Sequence, residues 1–205
     1  MLAAVVLAVI GAPAAEPALR VGASPPALSC VEAAARDYER EADRALQVVG
    51  EEARGGRSDV FVGVSAEVTR LIEAGQAEEK TELALARIPW VLLVDDPSAT
   101  RLSDLAGREV SLPAGRFAEE ARQALERVAG IRVRVEPDPA ALARAPIALL
   151  PLSMAPSRPT LQAELDPITV GAVLRRGAGR RAEALAFLNY LATEPGRRSF
   201  SACGR

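Results

Sequence analysis

Apolar residues along the chain fall into short runs separated by amphipathic stretches, and the two kinds of segment alternate. LRVGA from Leu19 reads as a strand, and Ser24-Pro25-Pro26 then opens a helix with Ser24 as the cap and Pro25 in the first turn. Ser29-x-x-Glu32 offers a competing start, so two helix starts remain open, and the helix runs to about Ala42. ALQVVG from Ala45 and DVFVGV from Asp59 read as strands, joined by the glycine-rich polar segment GEEARGGRS. Ser65 begins the helix AEVTRLIEAG, which Gly75 closes. Ile88 to Val94 is a near-continuous apolar strand of the buried kind.

The alternation continues through LSDLAG (helix), REVSL (strand), the turn Pro113-Ala114-Gly115 and the helix RFAEEARQALERVAG. IRVRVEP has the period of a half-exposed strand, ALARAP is a short helix and IALLPL a buried strand. A proline-rich loop from Pro151 to Pro167 precedes the strand ITVGAVL, and AEALAFLNYLATE is a helix broken at Pro195-Gly196, with a short helix into Cys203. Strands alternating with helices through short loops predict an α/β fold with largely parallel sheets. In such folds ligands sit at the C-terminal ends of the strands.

The N-terminus departs from this pattern. MLAAVVLAVIGAPAA is uncharged, apolar and then small, and it is too short to span a bilayer. With Ala12-Pro13-Ala14 as a cleavage site it reads as a signal peptide over residues 1–14, which predicts export. A buried first strand or helix is the competing reading.

Composition narrows the chemistry. The chain has 205 residues, 49% hydrophobic and 25% charged, with a net charge of -2, so it folds around a core and is not built to coat nucleic acid or an anionic membrane. Lys80 is the only lysine among the 25 basic residues, a bias of coding composition rather than of chemistry. The absence of histidine removes Ser-His-Asp and Cys-His catalysis and His-ligated zinc, which makes an enzyme the least supported class. Glu51-Glu52 and Asp95-Asp96 are adjacent carboxylates that point apart, so neither pair predicts a metal site, and no cofactor is expected. Cys30 and Cys203 fit either one disulfide in an exported protein or two buried thiols.

SDVFVGVSAEVTRLIEAG, LSDLAGREV, LPAGRFAEEARQALE and AEALAFLNYLATEPGRRSF together resemble the type II periplasmic solute-binding proteins, and among them the molybdate-binding proteins of ABC importers. The resemblance implies a two-lobed type II periplasmic-binding-protein fold with mostly parallel sheets and two crossover strands, at Trp90–Val94 and Ile168–Leu174. The N-terminal lobe would comprise residues 18–88 and 172–205, the second lobe 89–171. Both cysteines then fall in the N-terminal lobe, which favours the Cys30–Cys203 bridge.

The resemblance also implies a site. The family holds a tetrahedral oxyanion with serines from two loops of one lobe and with backbone amides and a tyrosine of the other. In a gapless match over residues 19–41 the first serine falls on Pro26, with Ser24 two residues earlier. The second serine loop is shortened to residues 50–58, where Ser58 is the sole hydroxyl. Ala114 and Gly115 keep the amide-bearing turn, Arg116 beside it supplies a cation, and Ser153 and Met154 lie where the strand-to-helix turn faces the cleft. Proline stands at 137 and 139 near another expected amide, and Pro151 replaces the tyrosine. The expected ligand residues are therefore Ser24, Ser58, Ala114, Gly115 and Arg116. The function implied is that of a monomeric periplasmic binding protein delivering a small anion to an ABC transporter permease. The alternative is a divergent protein whose cleft is filled by Pro26, Pro139 and Pro151 and which works through protein contacts.

Overall fold

A computed structural model describes residues 18–51, 57–94, 101–128, 130–156 and 161–203, with residues 202 and 203 described by their backbone alone. The expected signal peptide over residues 1–14 lies outside the described residues, as do Glu52, Asp95 and Asp96. The chain forms two five-stranded sheets. The first contains β1 (Leu19–Ala23), β2 (Leu46–Gly50), β3 (Val60–Val64), β4 (Leu83–Ile88) and β10 (Ile168–Leu174), in the order β2-β1-β3-β10-β4. The second contains β5 (Trp90–Val94), β6 (Glu109–Pro113), β7 (Arg132–Glu136), β8 (Ile147–Pro151) and β9 (Leu161–Gln162), in the order β7-β6-β8-β5-β9.

The two-lobed α/β architecture is as expected, but the pairing is mixed. β10 runs antiparallel to β3 and β4, and β5 antiparallel to β8 and β9. These are the strands through which the chain enters one sheet from the other, so they arrive from the opposite end. Residues 168–171, allotted to the second lobe by the sequence, pair with β4 in the first sheet, and the return crossing lies before them. The apolar run over residues 88–94 is divided at Pro89, with Ile88 closing β4 and Trp90 opening β5.

Strand periodicity sorts the core into layers. In β3, Val60 and Val62 face α1 (Pro25–Ala42), α5 (Arg181–Ala192) and α6 (Glu194–Cys203), whereas Phe61 packs with Val68 and Leu71 of α2 (Ser65–Glu73). In β5, Trp90 and Leu92 join the layer under α3 (Glu119–Glu126), whereas Val91 and Leu93 pack on Leu142 of α4 (Pro139–Arg144). Two helices differ from expectation. LSDLAG is one 3-10 turn, Leu102–Leu105, and the last helix break falls at Thr193, so that Pro195 sits in the first turn of α6, where its missing N–H costs nothing. Cys30 is fully buried on α1, and α6 packs against α1; the side chain of Cys203 lies outside the described residues.

The shortened connector after β2 leaves a mark on the first sheet. Glu51 folds its side chain back across β1, and a Cβ on Gly22 would lie 2.1 Å from its Oε1. The carboxylate accepts from Ser58 Oγ and pairs with Arg175 at 3.0 Å, and the guanidinium lies 5.3 Å from the Phe61 ring centroid. Side chains at this pair are only 8% and 10% exposed. Removing one partner of such a pair leaves the other charge buried and uncompensated, at a cost of about 3–5 kcal/mol. Arg175→Met is therefore expected to lower unfolding stability in urea by that amount, and Glu51→Gln combined with Arg175→Met to recover most of it. Equal losses in the single and double variants would show that packing, not charge, sets the effect.

Candidate ligand-binding cleft

The first lobe brings the start of α1 to the cleft. The Ser24 amide donates to the Val62 carbonyl at 3.0 Å, which fixes the turn between β1 and α1 against β3. Ser24 occupies the cap position as expected, but its hydroxyl caps nothing. Oγ is fully buried and has no hydrogen-bond partner among the described residues. Pro25 and Pro26 fill the first two helical positions and carry no N–H, and the Ala27 amide donates to the Ser24 carbonyl at 2.8 Å. A helix start normally offers several free amides to an anion. At α1 the sequence has removed them.

The second lobe closes over this point. Ser153 Oγ donates to the Pro26 carbonyl at 2.7 Å, and Ser29 Oγ donates to the Ser153 carbonyl at 3.2 Å. Ser153 belongs to the 3-10 turn Leu152–Met154, whose first amide donates to the Pro89 carbonyl at 2.9 Å. Pro151, at the tyrosine position of the resemblance, is buried opposite Trp90 in the β5–β8 ladder. The lobes thus touch through direct serine contacts in front of α1.

Ser58 lies elsewhere. β1 and β3 are parallel, with Ala23 opposite Val62. Ser24 follows the C-terminal end of β1, whereas Ser58 precedes the N-terminal end of β3, roughly 16 Å further down the sheet at strand rise. It is buried against Glu51. The two serines do not converge, and Ser58 belongs to the ion-pair cluster under the sheet.

On the second lobe, the Ala114 amide is also committed, donating to the Glu136 carbonyl at 3.2 Å as a continuation of the β6–β7 ladder. The expected amide donor is thus engaged by the sheet. The next residues differ. The amides of Gly115, Arg116 and Phe117 have no acceptor among the described residues. Gly115 has φ +133°, and a Cβ there would lie 2.6 Å from the Phe117 ring, so the turn requires glycine. The Phe117 ring in turn stacks on Trp90, with centroids 6.4 Å apart and planes at 18°.

Gly115 and Arg116 meet the first lobe across a cavity of about 580 Å³. Its far wall is one stripe of α2 and the residues that follow: Glu67, Arg70, Leu71, Ala74 and Gln76, with Pro25 at the edge. Glu67 is held by its own helix, its carboxylate accepting from the Val64 amide at 3.1 Å. Arg70 and Arg116 are exposed and form no ion pair among the described residues. The wall therefore carries two guanidiniums against one carboxylate. Sequence reading missed Glu67, Arg70 and Gln76. The signal available was the helical spacing of 67, 70, 71 and 74, which puts a charged pair and an apolar edge on one face. No group of three or more metal-ligating side chains occurs among the described residues.

No protein-family model matches the chain, and no curated protein matches it in sequence. Solved structures do match. The Azotobacter vinelandii periplasmic molybdate-binding protein superposes with a TM-score of 0.77 at 15% identity, over 91% of this chain and 97% of that one. The sulfate-binding protein SubI of Mycobacterium tuberculosis gives 0.66 at 16% identity, over 91% and 85%. Iron-bound HitA of Pseudomonas aeruginosa gives 0.64 at 14% identity, over 91% and 84%. The chain has the type II periplasmic-binding-protein fold. These three are named for molybdate, sulfate and iron, so the fold by itself does not choose a ligand.

The serine contacts across the cleft give a direct test. Ser153→Ala removes the donor to Pro26 and is expected to lower stability by about 1 kcal/mol. It should also raise the radius of gyration of the ligand-free protein in X-ray scattering, because the lobes part more often. An unchanged scattering profile would show that the lobes stay together without this contact.

Proposed function

We propose that the chain is a periplasmic solute-binding protein that captures a small anion between its lobes and delivers it to the permease of an ABC importer. The observation that carries this reading is the cavity between α2 and the turn at residues 114–117, where two unpaired arginines from opposite lobes border one space. Two lobes that each contribute a cation gain from closing on an anion, which is how a binding protein couples capture to closure. Arg70 and Arg116 bind the charge, and the Gly115 turn supplies neutral donors. Ser24 and Ser58, expected from the resemblance, take no part in this arrangement. The second reading, a protein working through contacts with other proteins, draws on the serine contacts that close the lobes in front of α1. Raised melting temperature with any small anion distinguishes the two, since a ligand that binds only the native state stabilises it.

Molybdate itself is expected to bind at least tenfold more weakly than it does to the A. vinelandii protein. The start of α1 has lost two amides to proline, Pro151 stands where the resemblance places a tyrosine, and Ser58 is turned to Glu51. Hydrogen bonds to a charged group contribute roughly 1.5–3 kcal/mol each, so two lost donors remove about 3 kcal/mol. At about 1.4 kcal/mol per decade this is on the order of a hundredfold. The smaller figure allows for recovery by Arg116. Calorimetric titration of the two proteins side by side checks it, and equal affinities would show that other residues restore the site.

Export and the Cys30–Cys203 disulfide belong to the same reading. Mass spectrometry of protein recovered from the periplasm should find an N-terminus at or within two residues of Ala15. Non-reducing peptide mapping of the same sample should find the two cysteines linked. Intact Met1 removes the export proposal, and two alkylated thiols remove the disulfide.

A further inference from the structure

The cavity is large for a bare tetrahedral oxyanion and is only partly polar. At about 580 Å³ it lies within the range of roughly 300–1,000 Å³ that small organic ligands occupy. One edge of its wall is apolar: Leu71 is 2% exposed and anchored in the α2 core, Ala74 lies one helical turn beyond it, and Phe117 is backed by Trp90. The polar edge carries Arg70, Arg116 and Glu67, one net positive charge. An inorganic dianion would leave an uncompensated negative charge and would wet the apolar edge. A monoanion with an apolar body matches both edges: its carboxylate takes a bidentate contact from a guanidinium, and its body lies over Ala74 and the cavity-facing margins of Leu71 and Phe117.

We infer that the ligand is a monoanionic organic acid, a carboxylate with an apolar body, whose head is held between Arg70 and Arg116 and whose body lies on the Leu71–Phe117 edge. The inference rests on the cavity being the binding site proposed above. It accounts for the loss of donors at α1, because a carboxylate seated against α2 needs none of them.

The test is calorimetric titration and thermal shift of the signal-free chain with hexanoate and benzoate. Acetate, sulfate, phosphate and molybdate serve as anions without an apolar body, and hexylammonium as the charge-reversed control. Hexanoate or benzoate is expected to bind at least tenfold more tightly than any of the inorganic anions or acetate, and hexylammonium not at all. Arg116→Ala and Arg70→Ala, both at exposed positions, should each weaken that binding at least tenfold while leaving the melting temperature of the ligand-free protein unchanged. Tighter binding of an inorganic anion would overturn the ligand class and leave the binding-protein reading standing. Organic-anion binding that survives both arginine substitutions would overturn the location, and equal binding of hexylammonium would overturn the charge preference. No thermal shift with any probe would overturn both the inference and the reading it rests on.

Discussion

Among the described residues the chain passes between its two sheets at two places, and most of the molecule follows from that restriction. At the first crossing Pro89 separates Ile88 of β4 from Trp90 of β5; at the second, the segment after β9 leads into Ile168. A strand that enters a sheet from the neighbouring lobe arrives against the direction of the βαβ units already there. That is why β5 and β10 are antiparallel members of otherwise parallel neighbourhoods. The same crossings set the C-terminal ends of β1 and β6 toward each other. The loops leaving those ends, at Ser24 and at Ala114, are consequently the ones that meet the cleft.

What those loops can do there depends on where their amides are spent. Proline at the first two positions of α1 gives a well-defined helix start without N–H groups there, so the helix keeps its geometry and presents no amide at those positions. The vacated front of the helix is met by Ser153, whose hydroxyl and carbonyl exchange hydrogen bonds with Pro26 and Ser29. Across the cleft the ladder takes the Ala114 amide but releases the next three. The uncommitted amides thus lie at the glycine turn rather than at α1, and Arg70 and Arg116 stand on either side of the cavity beside it.

Much of the fold was legible in the sequence because it rests on local signals. Ser24-Pro25 marks the start of α1, Gly75 ends the α2 region, and the apolar runs at 60–64, 147–151 and 168–174 match β3, β8 and β10. β4 was missed because Leu83–Ile88 alternates weakly, with Ala84 and Ala86 on opposite faces and both poorly distinguished from solvent-facing residues. It becomes a strand by pairing with β10, a partner some eighty residues away, and no local pattern announces that. The site was less legible still. Ser58 looked like a ligand donor because its loop aligned with a serine loop of the resembled family, yet strand direction puts it at the wrong end of the sheet. Arg116 and Gly115 were named from the Pro-Ala-Gly turn, and both line the cavity. Arg70 was not, because one arginine on an amphipathic helix is indistinguishable from a solvated one until the opposite wall is known.

The stack of Phe117 on Trp90 has a mechanical meaning. Trp90 is the first residue beyond the Pro89 crossing, and Phe117 is the floor of the glycine turn. Two near-parallel, offset rings, both buried, form a short strut between the crossing and the cavity wall. The cavity wall and the first residue past the crossing are thereby fixed to each other through two rigid rings rather than through flexible side chains.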